Sequence, residues 1–215
     1  MDNVKSKGKL GILIPGMGAV ASTLIAGVEA IKSNKSKPIG SMSQMGTIRL
    51  GKRTENRVPL IKDFAPLADL EDLVFGGWDI NDENLYEICI RNGVLEKSLV
   101  DEMKTYLKSV EIWPAVFDKK YVRRLDGDYI KTGANKMTLA EQLEEDINNF
   151  RKKYNTRAIV MIWCGSTEIF FKANDVHSTI DKFETGLINN DPEISPSMIY
   201  AYAALKNGIP FANGA

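Results

Sequence analysis

The segment "GILIPGMGAVASTLIAGVEAI", residues 11–31, constrains the fold more than any other stretch of the chain. An apolar run over residues 9–14 has the length and composition of a buried strand. It breaks at Pro15 and Gly16 and reads at once into small and branched apolar residues at helical spacing over residues 19–31, with Glu29 the one charge. Strand, tight turn and helix within so few residues is the opening of a βαβ unit. The turn itself reads G-x-G-x-x-A over Gly16, Met17, Gly18, Ala19, Val20 and Ala21. In that spacing Gly16 permits the sharp turn, Gly18 lets a pyrophosphate approach the backbone, and Ala21 lets helix and strand pack closely. Free amides at the helix N-terminus would then face an anion. A glycine turn joining two buried elements with no ligand is the competing reading.

Downstream, the polar run "KSNKSKP" ends the first helix, since Pro38 cannot continue it. Residues 40–60 mix glycines, hydroxyls and basic side chains without a sustained period, the mark of a long loop or short strands over the surface of a larger core. A second apolar run at Leu73–Phe75 is expected to stop at Gly76 and Gly77. Asn81 or Asp82 is then placed to cap a helix in "ENLYEICIRNG", with Gly93 as its stop. "LEKSLVDEMKTYLKSV" reads as one further helix, "EIWPAVF" as a third strand, and residues 123–137 as an exposed connection. Thr138 and Glu141 have capping-box spacing, and Leu139, Leu143, Ile147, Phe150 and Tyr154 share one face of a four-turn helix. The run Ala158–Trp163 is apolar on both faces, as an interior parallel strand requires. Ser195 and Pro196 start a last helix, Gly208 ends it, and "IPFANG" is strand-like. Strands alternating with helices give an α/β, Rossmann-like doubly wound, mostly parallel sheet with helices on both faces.

Bulk properties narrow the partners. The 28 basic residues balance the 28 acidic ones, so no whole-molecule field draws the chain onto nucleic acid or an anionic membrane, and an anionic ligand must be held locally. The run "KKYVRR" reads as a solvated face. No apolar stretch nears the roughly 20 residues that span a bilayer, and the polar start "MDNVKSKGK" has no secretory segment, so the cytoplasm is the expected location. Cys89 and Cys164 have neither CxxC spacing nor a histidine set, so both read as reduced thiols, with no metal site expected. No histidine lies near Cys164, which argues against a thiolate nucleophile. The single histidine, His177, sits in the polar run "KANDVHST" and reads as a surface residue.

Two further places can bear on a ligand. The acidic residue that takes the adenosine ribose usually lies about 20 residues past the glycine turn. Here that region offers Lys32, Lys35 and Lys37, which fit a 2′-phosphate or merely a solvated helix end. Asp79, in "GGWDI", is the carboxylate placed to take the ribose instead, or else it caps the following helix. "WCGSTE" follows the best strand, so Cys164, Gly165, Ser166 and Thr167 can line a crevice beyond the carboxyl ends of the strands; the alternative is a strand-to-helix turn capped by Ser166 or Thr167. Trp78 and Trp113 read as core or turn aromatics.

Five segments in order, "GMGAVASTLIAGVEA", "GSMSQMGTIRLG", "GGWDI", "IVMIWCGSTE" and "ISPSMIYAYAALKNGIPFANGA", resemble the myo-inositol-1-phosphate synthase family over nearly the whole chain. The resemblance implies an NAD-dependent isomerase of inositol and phospholipid biosynthesis that converts D-glucose 6-phosphate to 1L-myo-inositol 1-phosphate. It also implies that Gly16, Met17, Gly18, Ala19, Val20 and Ala21 hold the pyrophosphate, that Asp79 and Ile80 hold the adenosine ribose, and that Cys164, Gly165, Ser166 and Thr167 lie toward the nicotinamide. Two departures are visible: the glycine loop is compact, as in prokaryotic members, and Ser166 stands where an asparagine is common. Family members continue into an α+β domain that supplies the catalytic lysines, the phosphate site and most contacts of a tetramer. Residues 1–215 therefore resemble the cofactor domain, with irregular insertions near 40–66 and 124–137 and no catalytic residue of their own. A simple Rossmann dehydrogenase and a stand-alone NAD-binding module without turnover share the same grip and remain open at this point.

Overall fold

The computed structural model describes residues 8–214; the polar start over residues 1–7, and with it most of the segment read as lacking a secretory signal, lies outside the described residues. Five strands form one all-parallel sheet: β1 (Leu10–Pro15), β2 (Leu73–Asp79), β3 (Glu111–Pro114), β4 (Ala158–Trp163) and β5 (Phe211–Asn213). Their spatial order is β3-β2-β1-β4-β5. The chain winds outward from β1 to β3, then returns to the other side of β1 for β4. That reversal creates the crevice in which open α/β sheets bind ligands.

Helix α1 (Ala19–Lys32) follows β1 as expected, burying Ala21, Ile25, Ala26 and Ala30. An excursion comes next, made of α2 (Met42–Met45), α3 (Ile61–Phe64) and two antiparallel bridges, Thr47 to Leu60 and Leu50 to Arg57. It contributes no residue to the buried apolar cluster on either face of the sheet. Helix α4 (Leu85–Asn92) packs against α1. The span read as one helix after it is two, α5 (Lys97–Glu102) and α6 (Lys104–Ser109), broken at Met103, whose side chain turns into the core beside Leu107 and Val110. On the other face, α7 (Lys136–Tyr154), α8 (Ile180–Ile188) and α9 (Pro196–Lys206) cover the sheet.

Several local expectations change. The strand at Leu73 does not stop at Gly76 and Gly77 but runs on to Asp79. Both glycines are there for close packing. A Cβ on Gly76 would meet the Phe150 ring at 3.0 Å, and one on Gly77 would meet the Ile14 carbonyl oxygen at 2.2 Å. Absent side chains, rather than a turn, explain them. The cap of α4 is Asn84, in a capping box with Glu87, and not Asn81 or Asp82. The cap of α7 is Asn135, which accepts from the Thr138 amide, so Thr138 is three residues inside a helix of 19 residues. Gly93 does stop α4, at φ 60°. In "KKYVRR" the charges are solvated, but Tyr121 is buried and donates to the Pro192 carbonyl. None of the helices among the described residues is long and apolar enough to cross a membrane.

Candidate cofactor-binding site

At the carboxyl edge of the sheet, β1, β2, β3 and β4 end around one cleft of about 250 Å³. The glycine turn forms its base. Gly16 has φ +88°, its amide donates to the Trp78 carbonyl at 2.9 Å, and a Cβ there would lie 2.4 Å from the Gly165 backbone. Only glycine fits where the turns after β1 and β4 touch. Gly18 is different. It is the N-cap of α1 at φ −72°, and a Cβ on it would have no neighbour within 4 Å.

No side chain caps α1, its first turn carries no acid, and its first backbone bond is Ser22 to Gly18. The amides of Ala19, Val20 and Ala21 precede that bond, so they are donors without intrahelical partners at the positive end of the helix dipole. A phosphate would satisfy both. Ala21 is fully buried and gives α1 its close approach to the sheet, Ala19 and Val20 are exposed, and the Met17 side chain is buried in the core against Gly77. Of the turn, Gly16 and Gly18 line the cleft, whereas Met17, Ala19, Val20 and Ala21 are not among its lining residues and would meet a ligand through their backbone rather than their side chains.

Across the turn, Asp79 ends β2 and is only 9% exposed. Its Oδ1 accepts from the Asn81 backbone amide at 3.1 Å and from Asn81 Nδ2 at 3.2 Å. This is a local turn, and since Asn84 caps α4, the helix-cap alternative for Asp79 falls. Asp79 also stands where the second strand ends, farther from the glycine turn than the usual interval. The excursion between α1 and β2 lengthens the sequence interval, while the end of the second strand remains where a carboxylate meets a ribose. Lys32 lies at the far end of α1, about 20 Å along a 14-residue helix, and Lys35 and Lys37 lie beyond that end. Lys32 pairs with Glu29 and Lys35 with Glu102. They do not reach this cleft.

The third wall comes from β4 and the turn that leaves it. Trp163, Cys164, Gly165 and Ser166 line the cleft, whereas Thr167 is exposed outside it and Glu168 takes its place. No helix begins directly after this turn, so Ser166 and Thr167 cap nothing. Glu168 instead reaches the start of α9, accepting from the Ser197 amide at 2.9 Å and its hydroxyl at 2.5 Å. Burial pushes the Cys164 thiol up, the opposite of what a nucleophile needs. His177 is tied down in a short 3-10 turn, with Nδ1 accepting from the Asn174 amide and Nε2 3.1 Å from the Glu193 carbonyl. The arrangement offers a grip for an anion, hydroxyls and flat rings rather than a nucleophile with its base.

The cleft also has a roof that no sequence pattern indicates. After β3 the chain passes Ala115, Val116 and Phe117, loops through Val122, Leu125 and Asp126, and returns to pair Ile130 with Ala115. Ile80 supports that return, since its carbonyl accepts from the Tyr129 amide and Gly127 packs against it. From the other faces Tyr200, Pro196 and Arg91 complete the lining, with Arg91 held by Glu83 at 2.8 Å. Roof positions carry no period or motif; Glu168 and Tyr200 lie inside segments with a recognisable pattern, yet only folding turns them toward the cleft.

A family model for an NAD-binding domain, described as myo-inositol-1-phosphate synthase, matches residues 10–215. The chain belongs to the myo-inositol-1-phosphate synthase family. Among its relatives, inositol-3-phosphate synthase 1 of Bacteroides thetaiotaomicron is 41% identical over 210 residues, covering 97% of this chain and 48% of that protein. Inositol-3-phosphate synthase 1 of Oryza sativa is 31% identical, with 96% of this chain and 43% of that protein aligned. The crystal structure of inositol-3-phosphate synthase from Caenorhabditis elegans superposes with a TM-score of 0.89 at 25% identity, over 97% of this chain and 44% of that one. The chain spans about half the length of the curated relatives it matches, and that half is the family's NAD-binding domain. Of the five segments that carried the resemblance, four contribute to the cleft; "GSMSQMGTIRLG" lies in the excursion outside it.

Proposed function

We propose that this chain is the cofactor-binding part of an inositol-3-phosphate synthase and that its cleft holds NAD. The observation that carries the reading is the pairing of an uncapped, open helix N-terminus at Gly18 with a buried carboxylate, Asp79, at the adjoining strand end. The amides at Gly18, Ala19, Val20 and Ala21, behind the turn that Gly16 and Met17 shape, would hold the pyrophosphate. Asp79, oriented by Asn81 and followed by Ile80, would accept from the adenosine ribose hydroxyls. Val116, Val122 and Leu125 give an apolar roof for the adenine. Trp163, Cys164, Gly165 and Ser166 form the wall toward the nicotinamide, with Thr167 behind them.

When bound, NAD supplies reversible oxidation and reduction of a sugar carbon without net redox change, as an isomerase converting D-glucose 6-phosphate to 1L-myo-inositol 1-phosphate requires. In that scheme the residues of this chain orient the cofactor and exclude water from it. The lysines that stabilise enolate oxygens belong to the family's other domain. A cytoplasmic tetramer serving inositol and phospholipid synthesis is the corresponding assembly.

Asp79→Ala tests the assignment. Loss of a charge-assisted bond to the ribose should weaken NAD by about 1.5–3 kcal/mol, roughly ten- to a hundredfold in Kd. Asp79→Asn, which keeps an acceptor for the Asn81 amide, separates turn from ligand. Unchanged NAD affinity in Asp79→Ala, with a lowered melting temperature, would return Asp79 to the turn alone.

A further inference from the structure

Behind the cleft wall lies an ion pair that the proposed cofactor contacts leave unexplained. Asp146, on the inner face of α7, is 14% exposed and Lys131, at the foot of the roof loop, 8% exposed; their Oδ2 and Nζ are 2.8 Å apart. The same Oδ2 accepts from the indole Nε1 of Trp78 at 2.7 Å. Trp78 is fully buried, lines the cleft and immediately precedes Asp79. Its ring meets Tyr200 edge-on at 5.3 Å, and the Tyr200 hydroxyl accepts from the Val116 amide at 2.9 Å, again on the cleft. Lys131 also donates its own amide to the Ala115 carbonyl at 2.8 Å, which closes the roof onto β3.

A buried ion pair is a poor device for stability, because desolvation offsets much of the attraction, and apolar residues of similar volume often serve as well. What it does supply is direction. One carboxylate oxygen fixes both the plane of the Trp78 ring and the position of the roof's base, from an element that does not itself line the cleft. A site needs such a supporting shell if its contact residues are to be held to fractions of an ångström.

We propose that Asp146 is a positioning residue for the cofactor cleft, acting through Trp78 to hold the wall at the spacing NAD requires. This rests on the reading of the cleft as the NAD site.

Two double variants test it. In Lys131→Met with Asp146→Asn, no charge is buried but an amide oxygen still accepts from the indole. In Lys131→Met with Asp146→Leu, the acceptor is gone. Each is titrated with NAD by calorimetry at a temperature where near-ultraviolet circular dichroism shows it folded. The Asn variant should bind NAD within about threefold of wild type, and the Leu variant roughly tenfold more weakly, with an altered Trp78 band. Equal affinities in the two variants, at any level, would overturn the proposal, as would wild-type affinity in the Leu variant. A wild-type chain that binds no NAD would instead defeat the underlying reading of the cleft, so the two failures are distinguishable.

Discussion

Replacing Gly18 by valine should separate the site from the fold. Gly16 is the wrong glycine to change, because a Cβ there would lie 2.4 Å from the Gly165 backbone and disturb the junction of two strands. Gly18 has φ −72° and open space where its Cβ would point. The fold therefore loses only the difference between glycine and a β-branched residue at an N-cap, about 1 kcal/mol. The side chain would, however, stand between an incoming pyrophosphate and the first-turn amides. Hydrogen bonds from amides to a charged phosphate contribute about 1.5–3 kcal/mol each. Losing two gives roughly 3–6 kcal/mol, or about two to four orders of magnitude in Kd. Calorimetric titration with NAD, alongside thermal unfolding of the same preparation, reads both quantities. A Gly18→Val chain that melts close to wild type and still binds NAD as tightly would refute the placement of the pyrophosphate.

Other consequences concern the frame. Asn84→Ala removes one half of the capping box on α4 and should cost about 1 kcal/mol in urea unfolding while leaving NAD affinity within a factor of about two. Gly77→Ala would drive a methyl to within 2.2 Å of the Ile14 carbonyl oxygen, so a loss of about 1–3 kcal/mol or more is expected, together with a weakened cleft. Stability should also fall at high pH. Burial, aided by the carboxylates of Glu193, Asp118, Glu168 and Asp191, raises the Tyr121 hydroxyl from 10.0 to about 12. The neutral phenol is the folded form, so its contribution is intact below pH 10 and is lost as pH climbs from 10 to 12. Tyr121→Phe should flatten that part of the pH profile measured by denaturant unfolding; an unaltered profile would show that Tyr121 is not responsible.

Much of this architecture can be read from residues whose neighbours in sequence are also neighbours in space. The junction at Gly16 and the face of α7 carrying Leu143, Ile147 and Phe150 are local patterns, and they fold as their periodicity indicates. Gly76 and Gly77 mislead because glycine is silent about its reason: a turn and a close packing partner leave the same letter, and Phe150 and Met17 supply the partner only in three dimensions. The N-caps of α4 and α7 fall a few residues from their expected places for a related cause. Asn84 and Asn135 compete with equally suitable polar neighbours, and the first turn of each helix selects among them. At the site, the ends of β1 and β4 are legible because each closes an apolar run, whereas Gly76 and Gly77 set the expected end of β2 short of Asp79. The roof over residues 115–130 and the Lys131, Asp146 and Trp78 cluster depend on contacts between distant segments, which no spacing encodes. No acid follows soon after the glycine turn, and the excursion between α1 and β2 places the end of the second strand, with Asp79, much later in the sequence.

Whether this cleft holds NAD is read most directly by a calorimetric titration of the chain with NAD and, separately, NADP, with the fluorescence of Trp78 and Trp163 as a second readout. An NAD site here requires saturable binding of NAD and weaker binding of NADP, since Asp79 would face a 2′-phosphate and Lys32, Lys35 and Lys37, at or beyond the far end of α1, lie too far away to compensate. Binding of neither dinucleotide, or a preference for NADP, would contradict it.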